Sequence, residues 1–99
     1  NAWIGVKIHG LYVPGKGYLR TATGSVTTKK EVIAGKGAGT VFRNAFILAA
    51  TYGGVPDNWQ KMRGEVILVC EGKDKRAEVH WAQEESVGYV EEKFCRWLR

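Results

Sequence analysis

Two neighbouring segments, "EVILVC" (65–70) and "RAEVHWAQ" (76–83), constrain the fold of this chain more than any other feature. Both are of strand length and rich in β-branched or aromatic residues, and the turn-forming "EGKDK" joins them. A connection this short pairs the two strands antiparallel. In the second segment alternation puts Val79 and Trp81 on one side, read as core, and Glu78 and His80 on the other. A carboxylate and an imidazole about 6 Å apart along one strand face have two readings. They are polar residues on a solvated face, or they exchange roles as general base and acid, the carboxylate holding the imidazole near working pH.

The rest of the chain supplies partners for that hairpin. "WIGVKIHGLYV" alternates, with Ile4, Val6 and Ile8 on one side and Trp3, Lys7 and His9 on the other, which predicts a strand ended by "PGKG". "YLRTATG" reads as a second short extended piece. "TTKKEVIAG" predicts a short helix, with Thr27 or Thr28 as N-cap and Glu31 near the capping-box position. "GKGAGTVFRNAFILAATYGG" predicts a longer one, capped by Thr40, with Phe42, Ala45, Phe46 and Ala49 at helical spacing and Gly53 and Gly54 as the stop. Ile47 and Leu48 widen its apolar face, which predicts deep packing against the sheet. "VPDNWQKMRG" reads as a loop. In the tail, Val90, Phe94, Trp97 and Leu98 recur at helical spacing, whereas a strand puts Val90, Phe94 and Leu98 inward with Glu92 and Arg96 interrupting. Periodicity alone favours the helix. No repeat, low-complexity segment or linker divides the chain, so residues 1–99 are expected to form one α+β domain, one or two helices on a small twisted antiparallel sheet.

Hydrophobic residues at 44% and charged residues at 25% are ordinary globular chemistry and exclude a disordered chain. Fifteen Lys and Arg against ten Asp and Glu leave +5, with a pI near 9.4. That balance favours polyanionic partners: nucleic acid, an anionic membrane or an acidic inhibitor protein. The longest apolar run, Ala45 to Ala50, falls far short of the ~20 residues of a membrane helix. Cys70 and Cys95 sit in apolar segments and read as small buried hydrophobes, with a single bridge as the alternative; neither has a second Cys or His at zinc-ligand spacing. No basic-then-apolar leader is visible, and Asn1 stands where a methionine would start a free chain, which suggests a domain of a longer polypeptide or a processed one.

Three further patterns bear on chemistry. If "VEEK" (90–93) is a strand, Glu91 and Lys93 project together, opposite Val90 and Phe94, and pairing with "AEVHW" gathers Glu78, His80, Glu91 and Lys93 into one polar cluster. As a helix the cluster dissolves. The same Glu-x-Lys, with "PD" at 56–57, also fits a PD-(D/E)xK nuclease, in which carboxylates hold Mg²⁺ and the lysine assists the attacking water. "GKGAGT" allows close backbone approach at Gly35, Gly37 and Gly39 and adds charge at Lys36; it is not a Walker A loop, and reads either as a phosphate contact or as a plain connection. Arg43, Lys36, Arg20 and His9 are the candidate substrate contacts, with Lys29, Lys30 and Arg76 as further phosphate candidates; Trp3, Tyr18, Trp59 or Tyr89 can stack on bases.

The set "YGGVPDNWQKMRGEV…RAEVHWAQ…VGYVEEKFCRWL", over roughly residues 40 to 98, resembles the C-terminal toxin domains of bacterial polymorphic toxins, including contact-dependent growth inhibition (CdiA-type) effectors. The matching pattern is a helix ending in Tyr-Gly-Gly, a Pro-x-x-Trp loop, a strand with Glu-x-His-Trp and a final strand with Val-Glu-x-Lys. Many such toxins have the barnase/EndoU/colicin/RelE-like fold, with helices on one sheet face and a metal-independent ribonuclease site on the other. The resemblance therefore implies a strand for the tail, and His80, Glu78, Lys93 and Glu91 as catalytic residues with no metal or cofactor. Glu92 departs from the pattern, which expects an apolar residue there. Further implications are RNA, often tRNA, as substrate, an acidic cognate immunity protein, and elongation factor Tu as a candidate host factor. Delivery would be at the tip of a secreted or cell-surface effector, with action in the cytoplasm of the target bacterium. A Mg²⁺-dependent DNA nuclease and a non-catalytic RNA- or protein-binding module are the alternatives.

Overall fold

The computed structural model describes residues 8–22 and 27–99; Trp3, Ile4, Val6 and Lys7 lie outside them. The expected hairpin is present and longer than its apolar segments, with β4 (Gln60–Cys70) and β5 (Lys73–Glu84) pairing antiparallel from Gln60↔Gln83 to Cys70↔Lys73 without a register shift. Only Glu71 and Gly72 form the turn, at φ 52° and 77°, as a type I′ hairpin requires. Lys73, Asp74 and Lys75 therefore belong to β5. The loop expected at 55–64 is corrected: Pro56–Asn58 form one 3-10 turn and β4 starts immediately after Trp59. Its burial alternates from Met62 through Gly64, Val66 and Leu68 to Cys70, and the charged outward partners Lys61 and Arg63 disguise that period in the sequence.

On either side of the hairpin lie β3 (Thr28–Gly35) and β6 (Gly88–Trp97), giving a four-stranded antiparallel sheet in the order β3-β4-β5-β6. The helix expected over "TTKKEVIAG" is thus a strand. Val32 pairs with Met62 and Glu31 with Arg63, and these cross-strand contacts outweigh the local capping signal. The tail is a strand as well, against its own periodicity.

One face of this sheet is apolar: Met62, Val66, Leu68, Ala77, Val79 and Trp81 pack there against Ile8, Leu11 and Val13. The covering layer is a separate hairpin of β1 (Gly10–Val13) and β2 (Gly17–Arg20). Lys16 N donates to Val13 O (2.9 Å) across Pro14 and Gly15, whose φ of 83° suits the second central position of a type II turn. Beyond the end of β3, Thr21 bridges to Leu68 and Ala22 N donates to Ile67 O (3.0 Å), stitching the two sheets together. Each fully buried Val or Leu in this layer contributes about 1.5–3 kcal/mol.

The opposite face carries the helix α1 (Ala45–Tyr52) at one end, where Ala45 and Leu48 meet Trp59 and Ala82, flanked by Phe42, Ala49, Val87 and Val90. It starts four residues later than Thr40 predicts, because Thr40 O accepts from Gly35 N (2.9 Å) and is held back against the end of β3. Deep packing is also corrected: Phe46 and Ile47 are 73% and 66% exposed, and only a narrow stripe of α1 touches the sheet. Trp59, far from a stacking platform, is wholly buried and donates from Nε1 to Gly53 O (3.1 Å). Among the described residues the architecture is α+β, one α-helix with a four-stranded and a two-stranded antiparallel sheet. Among the described residues no helix is long and apolar enough to cross a membrane.

Candidate active site

Because Ala77, Val79 and Trp81 face the core, β5 turns Glu78, His80 and Ala82 to the other face, beyond the edge of α1. Register then decides their neighbours. Across β4, Arg63 stands opposite His80, Glu65 opposite Glu78 and Lys61 opposite Ala82. Across β6, Lys93 stands opposite His80 and Val90 opposite Ala82. The helix and the His80 cluster therefore share one sheet face, and the β1–β2 hairpin takes the other, unlike the separation implied by the toxin resemblance.

Two irregularities in β6 shape the cluster. Between Val79↔Phe94 and Glu78↔Arg96 the strand holds one extra residue, so Cys95 and Arg96 both oppose Glu78. Between His80↔Lys93 and Ala82↔Val90 there is another, so Glu91 and Glu92 both oppose Trp81. Glu91 takes φ 58° there, a left-handed conformation that costs a non-glycine residue about 1–3 kcal/mol. Its carboxylate accepts from the Tyr52 hydroxyl of α1 (3.0 Å), which holds that phenol above its ordinary range. The expected pairing of Val90 with Phe94 on one face is corrected, since Val90 packs in the α1 cluster and Phe94 against the core on the other side.

At the centre, His80 Nε2 lies 2.7 Å from Glu78 Oε2, and Arg96 Nε donates to Glu78 Oε1 (3.0 Å). The Glu78 side chain is 11% exposed and that of His80 27%. The hydrogen bond with His80, followed by the Arg96 charge, holds the Glu78 carboxyl below the ordinary range against the opposing effect of burial. Burial, followed by the neighbouring Glu78 charge, pushes the Cys95 thiol up, while Arg96 and Lys61 pull the other way. The half-buried Glu92 carboxyl is likewise raised by burial.

A groove of about 380 Å³ runs along the His80 side of this cluster between α1 and β6, lined by Phe42, Asn44, Lys61, His80, Glu91, Lys93 and Cys95, while Glu78 and Arg96 line a separate hollow on the other side. Lys61 and Lys93, one on each strand flanking β5, have no carboxylate partner among the described residues. Other cations have carboxylate partners: Arg63 has Glu31, Arg76 and Lys29 share Glu65 (3.2 and 3.7 Å), and Arg96 has Glu78. An anion entering the groove therefore meets two unpaired ammonium groups beside an imidazole.

The structure brings together His80, Glu78, Lys93 and Glu91, the four candidate catalytic residues. It does not bring the four candidate substrate contacts to them. His9 and Arg20 belong to the β1–β2 layer against the opposite face. Lys36 lines a second groove with Asp57, Phe42 and Phe46, and Arg43 is exposed in the turn before α1, between the groove-lining Phe42 and Asn44. Asp57 lines that second groove, whereas Glu91 and Lys93 line the first. Of the stacking candidates, exposed Tyr18 lies in the far layer and Tyr89 packs against the core. Lys61, Cys95 and Arg96 complete the cluster without a sequence signal, since only register and the β6 irregularities carry them there. Both cysteines are free, and the expectation that both are buried holds for Cys70 alone, Cys95 being exposed. No family model, curated protein or solved structure matches the chain.

Proposed function

We propose that this domain is an RNA-cleaving toxin module acting without a metal, on a variant of the barnase/EndoU/colicin/RelE-like fold in which a β-hairpin replaces helices behind the sheet. The observation that carries this reading is the His80–Glu78 contact of 2.7 Å in a groove flanked by the unpaired Lys61 and Lys93. An ionised Glu78 accepts the Nε2 proton and leaves Nδ1 as the basic nitrogen, which has no protein partner among the described residues. Nδ1 takes the proton of an RNA 2′-hydroxyl, the 2′-oxygen attacks the adjacent phosphorus, and the P–O5′ bond breaks to leave a 2′,3′-cyclic phosphate. The ammonium groups of Lys93 and Lys61 neutralise the charged phosphorane, and one of them supplies the proton on which the 5′-oxygen departs. Glu78 positions the imidazole and stabilises it once charged, with Arg96 holding the carboxylate in place. Glu91 ties α1 to β6 through Tyr52 and so fixes the groove wall.

DNA, lacking the 2′-hydroxyl, is spared. A tRNA is the favoured substrate, with elongation factor Tu as candidate host factor. A net charge of +5 and a cationic groove suit an acidic immunity protein. Residence at the tip of a surface effector and action in a target cytoplasm complete the proposal. The test incubates purified protein with total tRNA, with and without EDTA, and maps the ends. Cleavage to cyclic-phosphate ends that survives EDTA and falls about 10²–10⁴-fold in His80→Ala is expected. RNA left intact, or a folded His80→Ala variant as active as wild type, overturns it. Cleavage of double-stranded DNA abolished by EDTA points to the Mg²⁺ nuclease instead.

A further inference from the structure

The extra residue in β6 has placed a thiol beside the carboxylate and the imidazole. A Glu78 carboxylate oxygen, a His80 ring nitrogen and Cys95 Sγ all lie within 4.8 Å of one another, with Glu78 buried, His80 half-buried and Cys95 exposed. A carboxylate, an imidazole and a thiolate are three of the donor types that hold Zn²⁺, and two negative charges among them match a divalent ion. Tetrahedral bonds of 2.0–2.3 Å set donors roughly 3.3–3.7 Å apart, so no gap need close by more than about 1 Å, and the 2.7 Å His80–Glu78 contact opens as the ion enters. A side-chain rotation of Cys95 is enough for that, because the residue is exposed at an irregularity of the strand. Arg96 stays on Glu78 Oε1 and fixes the carboxylate while Oε2, the oxygen facing His80, is presented to the ion. His80 and Cys95 both line the groove, which leaves a fourth position open to solvent.

We propose that Glu78, His80 and Cys95 form a binding site for a thiophilic divalent cation of the Zn²⁺ class, and that its occupancy switches off the RNA-cleaving site. The second half rests on the ribonuclease reading; the first does not. Binding replaces the His80–Glu78 hydrogen bond, moves the ring proton from Nε2 to Nδ1 and releases the Cys95 thiol proton to solvent. Nδ1 is then protonated and no longer a base. Hard cations such as Mg²⁺ gain nothing from a thiolate and are rejected.

The test titrates reduced full-length protein with Co²⁺, whose bond to a thiolate gives a near-ultraviolet charge-transfer band. One equivalent is expected to raise that band, excess Zn²⁺ to abolish it, and Mg²⁺ to leave it unchanged. Cys95→Ser should lose the band and Cys70→Ser should keep it. A wild type without the band, or a Cys95→Ser variant that retains it, overturns the metal site. RNA cleavage is then measured for each protein with and without Zn²⁺. Inhibition of wild type, with at least tenfold more Zn²⁺ needed for Cys95→Ser, is expected; Zn²⁺-insensitive cleavage by a wild type that shows the band overturns the switch. A Co²⁺ band in a protein that cleaves no RNA would overturn the ribonuclease reading and the switch while upholding the metal site.

Discussion

Two carboxylates on the same strand, Glu78 and Glu84, are both buried and both held below the ordinary carboxyl range, yet they are satisfied by different kinds of partner. Glu84 closes the β5–β6 turn. Its Oε1 accepts from Ser86 N (2.5 Å), Ser86 Oγ (2.7 Å) and Val87 N (3.2 Å), and its Oε2 from Val55 N (2.8 Å) in the segment after α1. Three of these donors are backbone N–H groups and the fourth is the Ser86 hydroxyl two residues away, none of which titrates in the working range, so Glu84 is locked into structure. Glu78 is held by His80 and Arg96, side chains that can rotate, lose a proton or be displaced. Equal burial with unequal partners separates a structural anion from one available for chemistry.

The sharpest way to break this contrast is Glu78→Gln. Loss of a charge-assisted hydrogen bond worth about 1.5–3 kcal/mol predicts RNA cleavage slower by about 10–100-fold, together with a modest fall in the thermal unfolding midpoint. A large drop in the unfolding midpoint without a rate effect would make Glu78 a second Glu84. Next is the pair Gly53→Ala and Gly54→Ala. Both positions have positive φ, 96° and 79°, but a Cβ at Gly53 meets nothing, whereas one at Gly54 comes within 2.6 Å of the Glu84 carboxyl carbon. Urea unfolding should show a loss of about 1 kcal/mol at Gly53 and at least twice that at Gly54. Equal losses would show that the Glu84 carboxylate is free to move aside.

A pH series tests Glu84 directly. A carboxyl held below its ordinary value stabilises the fold fully above that value and loses the contribution as pH falls through the folded one. Glu84→Gln should therefore lie below wild type in stability at pH 7 and approach it as the pH falls below the ordinary carboxyl range. A constant gap between them would assign the stabilisation to packing alone. The smallest effect is expected for Arg63→Gln, which breaks an exposed pair with Glu31 and should cost no more than ~0.5 kcal/mol in urea unfolding.

The hairpin and the shared face of Glu78 and His80 were legible in the sequence because β4 and β5 pair without interruption, so a period of two survives along both. The final strand was harder for the opposite reason. Phe94 and Trp97 are three apart yet share the apolar side, their rings 5.0 Å apart edge to face, because Cys95 and Arg96 together occupy one position of the pairing. A spacing of three or four is what a helix shows. The toxin resemblance read the tail as a strand, but the neighbours that register brings to His80, Lys61 and Cys95 among them, have no local signal. Strand β3 carried a capping pattern that only its pairing with β4 overrides. Early β4 hid its alternation behind Lys61 and Arg63.

The shifts in register have a second consequence, for what the molecule avoids. A four-stranded sheet leaves its two outer strands with one row of unpaired backbone groups, a template onto which another chain can add. Here the inner pair, β4 and β5, is regular throughout, while both outer strands are broken twice: β3 between Thr28 and Glu31 and between Val32 and Ala34, and β6 at the two places that build the site. Straightening β6 by deleting one residue at either place would disperse the cluster and also give self-assembly a flatter, more continuous border. The same kinks of β6 that gather the Glu78–His80–Cys95 cluster leave a border poorly suited to strand addition.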